Sequence, residues 1–214
     1  MLYLVDSGCK WRQLPHDFPP CSTVRSFYRR ARLSGLWERI RRRLVILTRK
    51  SAGRKETPTY GLVDSQSVKT LYPSEERGID GGKTKGRKRH IVTDVMGNIL
   101  AVIVHAANIH DTVSGVGVAK AAHGKYPSIK DFCGDMGYKG TFVTEISKIP
   151  GVHVDISEKI KPHEWEKLRW RWVVERTFGW LNHFRRLSKD YEITTDSAVA
   201  MVIISHCHTL LKRL

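Results

Sequence analysis

Two short apolar runs, residues 90–95 and 99–104, flank the dipeptide Gly97-Asn98. Because Gly and Asn tolerate a positive φ, this dipeptide favours a tight two-residue turn between two antiparallel strands. A further apolar run at residues 60–64 precedes them and ends in a carboxylate. The three runs can therefore form an antiparallel meander.

Helical and strand patterns alternate after the meander. The patterns predict strands at residues 129–134 and 152–156, and helices at 111–123 (with Asp111 as the N-cap), 141–148, 163–187 and 197–211. Strands that are joined by helical crossovers lie parallel, so the predicted class is α/β, with a mixed sheet flanked by helices. Ribonuclease H-like folds have this order, although order alone is a weak indicator because other mixed sheets share it.

Residues 1–57 form a small basic segment with a different pattern. A helix is predicted from Ser22 or Thr23 to Leu33, a second over residues 36–50, and a linker over residues 51–58. Through Pro58 there are 14 Lys and Arg against four acidic residues, a net charge of +10. We therefore expect a DNA-binding helical segment over residues 1–57 and a catalytic domain over residues 58–214.

The whole chain carries a net charge of +16, which suits a polyanionic partner. Double-stranded DNA is the first choice, an anionic membrane surface the second, and ordinary solubility charge the plain alternative. No run approaches the roughly 20 apolar residues of a membrane span. The four cysteines lack a C-x-x-C spacing and fit a reducing cytosol, and residues 206–208 (His-Cys-His) fit the edge of a core better than a zinc site.

Three acidic residues stand out by their context. Asp64 and Asp135 each follow a predicted strand, where side chains project into a crevice, and Glu175 borders the helical stripe marked by Leu168 and Trp172. Converging carboxylates repel one another unless divalent cations neutralise them, and hard oxygen ligands select Mg²⁺ or Mn²⁺. Two such ions would suit in-line phosphoryl transfer on DNA. The alternatives are a turn-forming role for each aspartate and a Glu175–Arg171 pair.

The motifs around these residues resemble transposases of the IS-five family, within the IS-four-like DDE superfamily. The resemblance lies in residues 63–69 (VDSQSVK), 134–140 (GDMGYKG), 170–181 (WRWVVERTFGWL), 8–15 (GCKWRQLP) and 107–111 (ANIHD). It implies a ribonuclease H-like fold and a catalytic, metal-binding triad of Asp64, Asp135 and Glu175. The partners implied are transposon-end and target DNA with a homodimer on that DNA, in the cytoplasm near the nucleoid, and no membrane or small-molecule substrate.

Basic residues near these motifs and in the predicted loop at 81–89 are expected to contact DNA. They are Lys69, Lys83, Lys85, Arg87, Lys88, Arg89, Lys139, Arg171, Arg176, Arg185 and Arg186. The family's glutamate-helix signature is half met, because Leu168 and Asn182 stand at its tyrosine and lysine positions.

The start of the chain departs from the family pattern. Residues 2–5 look like the end of a helix whose earlier turns are absent, so a truncated or frameshifted copy is expected. Residues 1–20 should then pack poorly, and the chain should bind DNA without preference for its element's ends. Two other functions stay open: a stand-alone nuclease with the same triad, and a DNA-binding remnant without catalysis.

Overall fold

The computed structural model describes residues 1–156 and 171–214. Its strands are β1 (Tyr60–Lys69), β2 (Gly78–Ile79), β3 (Lys85–Thr93), β4 (Ile99–Ala106), β5 (Asp131–Gly134) and β6 (His153–Ile156). Within these ranges they form one mixed sheet with the main order β4-β3-β1-β5-β6, and β2 pairs with the start of β3. The pairs among β1, β3 and β4 are antiparallel, which confirms the meander. β5 and β6 run parallel to β1.

Seven α-helices surround or precede the sheet in the described ranges. They are α1 (Leu2–Ser7), α2 (Cys21–Leu33), α3 (Leu36–Ser51), α4 (Asp111–Lys125), α5 (Thr141–Ile146), α6 (Arg171–Asn182) and α7 (Thr195–Leu211). α4 packs on β3, β4 and β1, whereas α7 packs on β4 and α3. The molecule is therefore the predicted α/β protein: a ribonuclease H-like mixed sheet flanked by helices and preceded by N-terminal helices.

The β3–β4 connection differs from the predicted two-residue turn. It spans residues 94–98, because the Asp94 side chain accepts hydrogen bonds from the backbone N–H groups of Met96 and Asn98 (both 2.9 Å). The same carboxylate is fully buried and forms an ion pair with Arg49 of α3 at 2.5 Å. A buried, paired aspartate therefore replaces the tight turn that the sequence favoured.

Two predicted helix boundaries were wrong. His110, not Asp111, caps α4, since its side chain accepts a hydrogen bond from Thr112 N while Asp111 bonds Lys88 and Ser65. The helix predicted over residues 163–187 ends at Asn182, and a separate 3₁₀ turn, Arg185–Leu187, follows it. Residues 163–170 of that prediction lie outside the described ranges.

The expectation that residues 1–20 pack poorly was wrong for α1. Leu4 and Val5 are fully buried, and the helix contacts α7 and the 3₁₀ turn after α6. Gly8 ends α1 with φ 67°, and a Cβ at this position would lie 2.8 Å from the Arg185 Cβ. Only glycine permits both this left-handed conformation and this close approach without strain.

α3 is tied to the β3–β4 connection by two buried arginines. Arg41 is fully buried and donates to the Ile99 carbonyl oxygen and to Glu38, while Arg49 donates to Asp94 and the Lys55 carbonyl oxygen. Buried guanidinium groups need such partners, because an unpaired buried charge is strongly destabilising. The N-terminal helices are thus a packed layer of the fold.

α7 supplies the deepest helical part of the core. His206 is buried and its Nε2 accepts a hydrogen bond from Ile99 N at 2.9 Å, and burial holds its pKa well below the usual value. Burial also raises the pKa of Cys207 to about 12. Both residues are buried in the core itself, deeper than the core edge that was predicted. None of the helices described has the length and apolar character that a membrane crossing needs.

Candidate active site

The parallel ladder between β1 and β5 brings two of the predicted catalytic residues together. Tyr60, Gly61 and Leu62 pair with residues 71 positions later, and Asp64 and Asp135 are separated by the same 71 positions. The two aspartates therefore occupy matching positions just beyond the paired ends of adjacent strands, whose spacing is about 4.8 Å. The sequence predicted that β1 ends at Asp64. The strand instead continues to Lys69, because β3 pairs with it along this whole length.

Strand alternation places Asp64 and Ser65 on opposite faces of the sheet. The Ser65 hydroxyl donates to Asp111 of α4 at 2.8 Å, so Ser65 faces α4. Asp64 shares its face with Arg87 and Arg89, whose guanidinium groups contact the segment that follows α6. Asp64 therefore lies on the side of the sheet that the end of α6 approaches, and it is half-buried.

The turn after β5 holds Asp135 in a defined conformation. Asp135 caps the 3₁₀ turn Met136–Tyr138, and its Oδ1 accepts a hydrogen bond from Gly137 N at 2.8 Å. The Tyr138 ring packs between β5 and α4, where a Cβ on Gly134 or Gly115 would come within 3 Å of it. The two glycines therefore make room for the ring, which in turn holds the Asp135 turn against the sheet.

The Tyr138 hydroxyl links the two aspartate segments. It lies 2.5 Å from His90 Nε2, and it also contacts the Ser65 hydroxyl beside Asp64. Burial, with Asp64 as the next largest cause, raises the pKa of Tyr138 well above its usual value. The phenol therefore stays neutral and can hold both segments.

His90 extends this network away from the aspartates. Its Nδ1 lies 3.1 Å from the Ser114 hydroxyl and 3.3 Å from His105 Nε2. Burial lowers the pKa of His90 to about 3, so the imidazole is neutral at physiological pH. Sequence reasoning assigned no role to His90 or Tyr138. Their signal was weak, since a histidine in a strand and a tyrosine between two glycines are ordinary patterns.

Asp111 is part of the same polar layer. Its Oδ1 accepts from Lys88 Nζ at 2.9 Å and from the Ser65 hydroxyl at 2.8 Å. Burial raises the pKa of Asp111, but the bonds from Lys88 and Ser65 outweigh it, so the pKa is lowered overall. Lys88 is 8% exposed, and its charge is used here.

Glu175 lies on α6, which packs against β1 and β3. Its neighbours Val173 and Val174 are buried, while Glu175 itself is exposed. A Cβ at Gly179, one turn later, would meet nothing within 4 Å, so the helix surface at Gly179 is open. Trp172 was predicted to lie on the helical stripe that faces the sheet. That prediction was wrong, because the Trp172 side chain is 54% exposed.

The donor chemistry of Asp64 and Asp135 fits a divalent cation. Two half-buried carboxylates on adjacent strands, both close enough to raise the pKa of one phenol, concentrate negative potential at the strand ends. In the described ranges no three His, Cys, Asp or Glu side chains are already grouped as a metal site. The fit therefore rests on the aspartate pair, and Glu175, the acidic residue of α6, is the third candidate by family resemblance.

Several predicted DNA-contacting residues are buried instead. Residues 85–89 were expected in a loop but belong to β3. Arg87 is fully buried and pairs with Asp190 at 3.2 Å, Arg89 donates to the Leu187 carbonyl oxygen at 2.8 Å, and Arg186 pairs with Glu192 at 2.6 Å. These three arginines and Lys88 form their ion pairs and hydrogen bonds inside the fold. The prediction that they bind phosphate was therefore wrong.

The remaining basic residues divide by their contacts. Arg176 is stacked between Trp172 and Trp180, with its guanidinium carbon 4.6 and 4.5 Å from the ring centres, and donates to the Met96 carbonyl oxygen. Arg171 begins α6, and its side chain lies outside what is described. The exposed members of the predicted set are Lys69, Lys83, Lys85, Lys139 and Arg185.

Comparison with known proteins agrees with this architecture. The model of the transposase DDE domain family matches residues 55–210, so the chain belongs to this family. Residues 1–41 match a second model, described as "Putative transposase of IS4/5 family". A relative from Burkholderia cepacia, described as "Putative transposase for insertion sequence element IS402", is 32% identical over 133 residues. That alignment covers 57% of this chain and 61% of the relative's length.

Proposed function

We propose that this protein is the transposase of an insertion sequence and that Asp64, Asp135 and Glu175 are its catalytic carboxylates. The observation that supports this most is the matched position of Asp64 and Asp135 beyond the β1–β5 ladder. Two aspartates 71 residues apart meet there only because of the parallel register. Membership of the DDE family and the family resemblance around Glu175 support the third position.

The reaction proposed begins with hydrolysis of a phosphodiester bond at a transposon end, in which water attacks the phosphorus and a 3′-hydroxyl leaves. This 3′-hydroxyl would then attack a phosphodiester of target DNA, so that a new P–O bond joins the two DNAs while the P–O3′ bond of the target breaks and a target 3′-hydroxyl leaves. Asp64 and Asp135, with Glu175, would hold Mg²⁺ or Mn²⁺. Bound divalent ions stabilise charge on the attacking and leaving oxygens of an in-line displacement. The chain's own part is to hold the segments that carry Asp64 and Asp135 in place through Tyr138 and His90.

Double-stranded DNA is the partner proposed, with two copies of the chain acting on one transposon. The net charge of +16 supports a polyanion. Lys69, Lys83, Lys85, Lys139 and Arg185 keep exposed charges that can meet phosphates. We also propose the division into a basic helical segment, residues 1–57, and a catalytic domain, residues 58–214.

Carboxylate substitutions test the proposal. In a supercoiled-plasmid assay with Mg²⁺ or Mn²⁺, Asp64→Asn, Asp135→Asn and Glu175→Gln should each lower the cleavage rate by about 100-fold or more, the scale on which preorganised transition-state groups act. DNA binding and unfolding should change little. Asp131→Asn is the matched control, because Asp131 is also half-buried on β5 but lies four residues before Asp135.

The outcomes separate the alternatives. A rate near that of the wild type for any of the three variants removes that residue from the site, and an equal loss in Asp131→Asn points to misfolding instead. Nicks without joined products identify a stand-alone nuclease. DNA binding without metal-dependent cleavage identifies a remnant that only binds DNA.

A further inference from the structure

A groove separates α2 from the loop before α7. Two adjoining cavities, of about 640 and 520 Å³, share the lining residues Trp11, Arg25, Tyr28 and Ser197. We call this feature the α2 groove. It lies between the N-terminal helices and the segment before α7, and none of its lining residues is one of the proposed catalytic carboxylates.

The walls of the α2 groove are strongly basic. The cations on its walls are Lys10, Arg12, Arg25, Arg29, Arg32 and Arg186. Arg25, Arg29 and Arg32 follow the spacing i, i+4, i+7, so they form one stripe about 10 Å long on α2. Among the described residues that line the groove, Glu192 is the one with a carboxylate.

Most of these cations have no acidic partner in the described part of the chain. The ion pairs formed there are Arg186–Glu192 at 2.6 Å and Arg32–Asp196 at 3.3 Å, and Asp196 is 82% exposed. Lys10, Arg12, Arg25 and Arg29 form no ion pair within the described residues, and all four are exposed. This surface therefore keeps a net positive charge that is available to an external anion.

The floor of the groove is aromatic and fixed. The Trp11 and Tyr28 rings lie 5.4 Å apart, and the Tyr28 hydroxyl lies 3.2 Å from the Ser197 hydroxyl on α7. Tyr28 is 7% exposed, so it is held by the core. The cation stripe is thus mounted on a rigid surface.

The first turn of α2 adds backbone donors to this surface. Cys21 and Ser22 line the groove, and the N-cap residue, Pro20, makes no side-chain hydrogen bond to the helix. The N–H groups of Thr23 and Val24 donate to the Pro20 carbonyl oxygen, so the donors that this turn offers are those of Cys21 and Ser22. Together with the positive end of a 13-residue helix they favour a phosphate oxygen at this position.

We propose that the α2 groove binds the phosphate backbone of duplex DNA next to the site of cleavage. This inference rests on the proposed function for its second half, the relation to the cleaved bond. Leu71 and Tyr72 line the groove and lie seven and eight residues after Asp64. A chain of eight residues spans at most about 26 Å, and duplex DNA rises 3.4 Å per base pair. The contacts should therefore begin within about eight base pairs of the cleaved phosphate.

The salt dependence of binding tests the groove. A random 30-base-pair duplex is titrated without divalent metal, using the Asp64→Asn protein so that catalysis plays no part. Removing two phosphate contacts with Arg25→Ala/Arg29→Ala should lower the magnitude of the log K against log salt slope by about 2, which is about a tenfold difference in affinity loss between 50 and 200 mM salt. The matched control is Arg30→Ala/Arg43→Ala, which removes two exposed arginines of α2 and α3 outside the groove.

An equal change in both pairs of variants, or no change in the first, overturns the proposal. Absence of DNA binding by the parent protein overturns both the groove and the proposed function. Loss of cleavage in Asp64→Asn with a normal groove result upholds both.

Cys21 gives a second readout that does not depend on substitution. Its thiol is half-buried and lines the groove, whereas Cys133 and Cys207 are buried. Saturating duplex should slow maleimide labelling of Cys21 at least several-fold, as measured by peptide mass spectrometry. Unchanged labelling of Cys21 with DNA fully bound would place the DNA elsewhere.

Discussion

Two arginine-rich parts of this chain have similar composition and opposite environments. In β3, Arg87, Lys88 and Arg89 are buried and bonded to carboxylates or carbonyl oxygens. In α2, Arg25 and Arg29 are exposed and make no ion pair within the described residues. Local charge density therefore does not identify a DNA-binding segment.

The period of the secondary structure explains the difference. In a strand, neighbouring side chains point to opposite faces, so the basic run of β3 sends Arg87 and Arg89 toward Asp190 and Leu187, and Lys88 toward Asp111. Both faces of β3 are covered. In a surface helix, residues four apart stay on one side, so Arg25 and Arg29 remain together on the surface.

Replacing Arg87, one of the two buried arginines of β3, should have the largest effect on stability. Arg87→Met leaves Asp190 buried without its partner and removes hydrogen bonds to the carbonyl oxygens of Glu75 and Ile193. We expect the free energy of unfolding to fall by about 3–5 kcal/mol. Urea unfolding followed by circular dichroism measures it.

Lys85→Met on the same strand is the control, because Lys85 is exposed. Its unfolding free energy should stay within about 0.5 kcal/mol of the wild type. Equal free energies of unfolding for Arg87→Met and Lys85→Met would show that the buried Arg87 contributes no more to stability than the exposed Lys85.

His90, which follows the basic run of β3, should make the free energy of unfolding depend on pH below neutrality. Burial lowers the pKa of His90 to about 3, from about 6.5 in an unfolded chain. The unfolded chain takes up the proton first, so the stability present above pH 6.5 is lost as pH falls toward 3. The loss approaches about 1.4 kcal/mol per pH unit for this one group.

Urea unfolding at pH 7.5, 6 and 5 checks this expectation. His206, whose pKa burial also lowers, adds to the slope, and Asp111, His105 and Lys88 set the local field at His90. His90→Gln should therefore reduce the slope below pH 6.5 by up to one proton without abolishing it. The same slope in the variant and the wild type would mean that His90 is protonated in the folded protein.

The smallest effect on stability is expected at two exposed lysines, Lys83 in the turn before β3 and Lys85 at the first position of β3. Lys83→Ala/Lys85→Ala should change the free energy of unfolding by about 0.5 kcal/mol or less. If both side chains contact phosphates, the same change should flatten the salt slope of DNA binding by about 2. Fluorescence anisotropy over a salt series measures it, and an unaltered slope would remove these two lysines from the DNA surface.

Much of this fold could be predicted from sequence because its signals are local. The Gly97-Asn98 hairpin region predicted the antiparallel meander, and the alternating helices and strands predicted the mixed α/β class. The first part of β3, residues 85–89, could not be predicted as a strand, because burial of Arg87 depends on Asp190, 103 residues later. The Tyr138–His90 bond is equally non-local.

In the candidate site too, the locally encoded residues could be predicted and those that depend on distant contacts could not. Asp64 and Asp135 were predicted from strand ends, and their adjacency depends only on the parallel register. Their supporting residues were missed, since Gly115 and Gly134 become informative only when the Tyr138 ring is seen between them.

The central claim is that Asp64, Asp135 and Glu175 share one metal site. Metal-directed cleavage of the polypeptide measures this directly. The protein is incubated with Fe²⁺ in place of Mg²⁺, then with ascorbate and peroxide, and the fragments are mapped by mass spectrometry. Cuts near residues 64, 135 and 175 are expected together, and Asp64→Asn should lose all three while Asp131→Asn keeps them. Cuts near only one of the three residues, or cuts that persist in Asp64→Asn, would contradict a shared site.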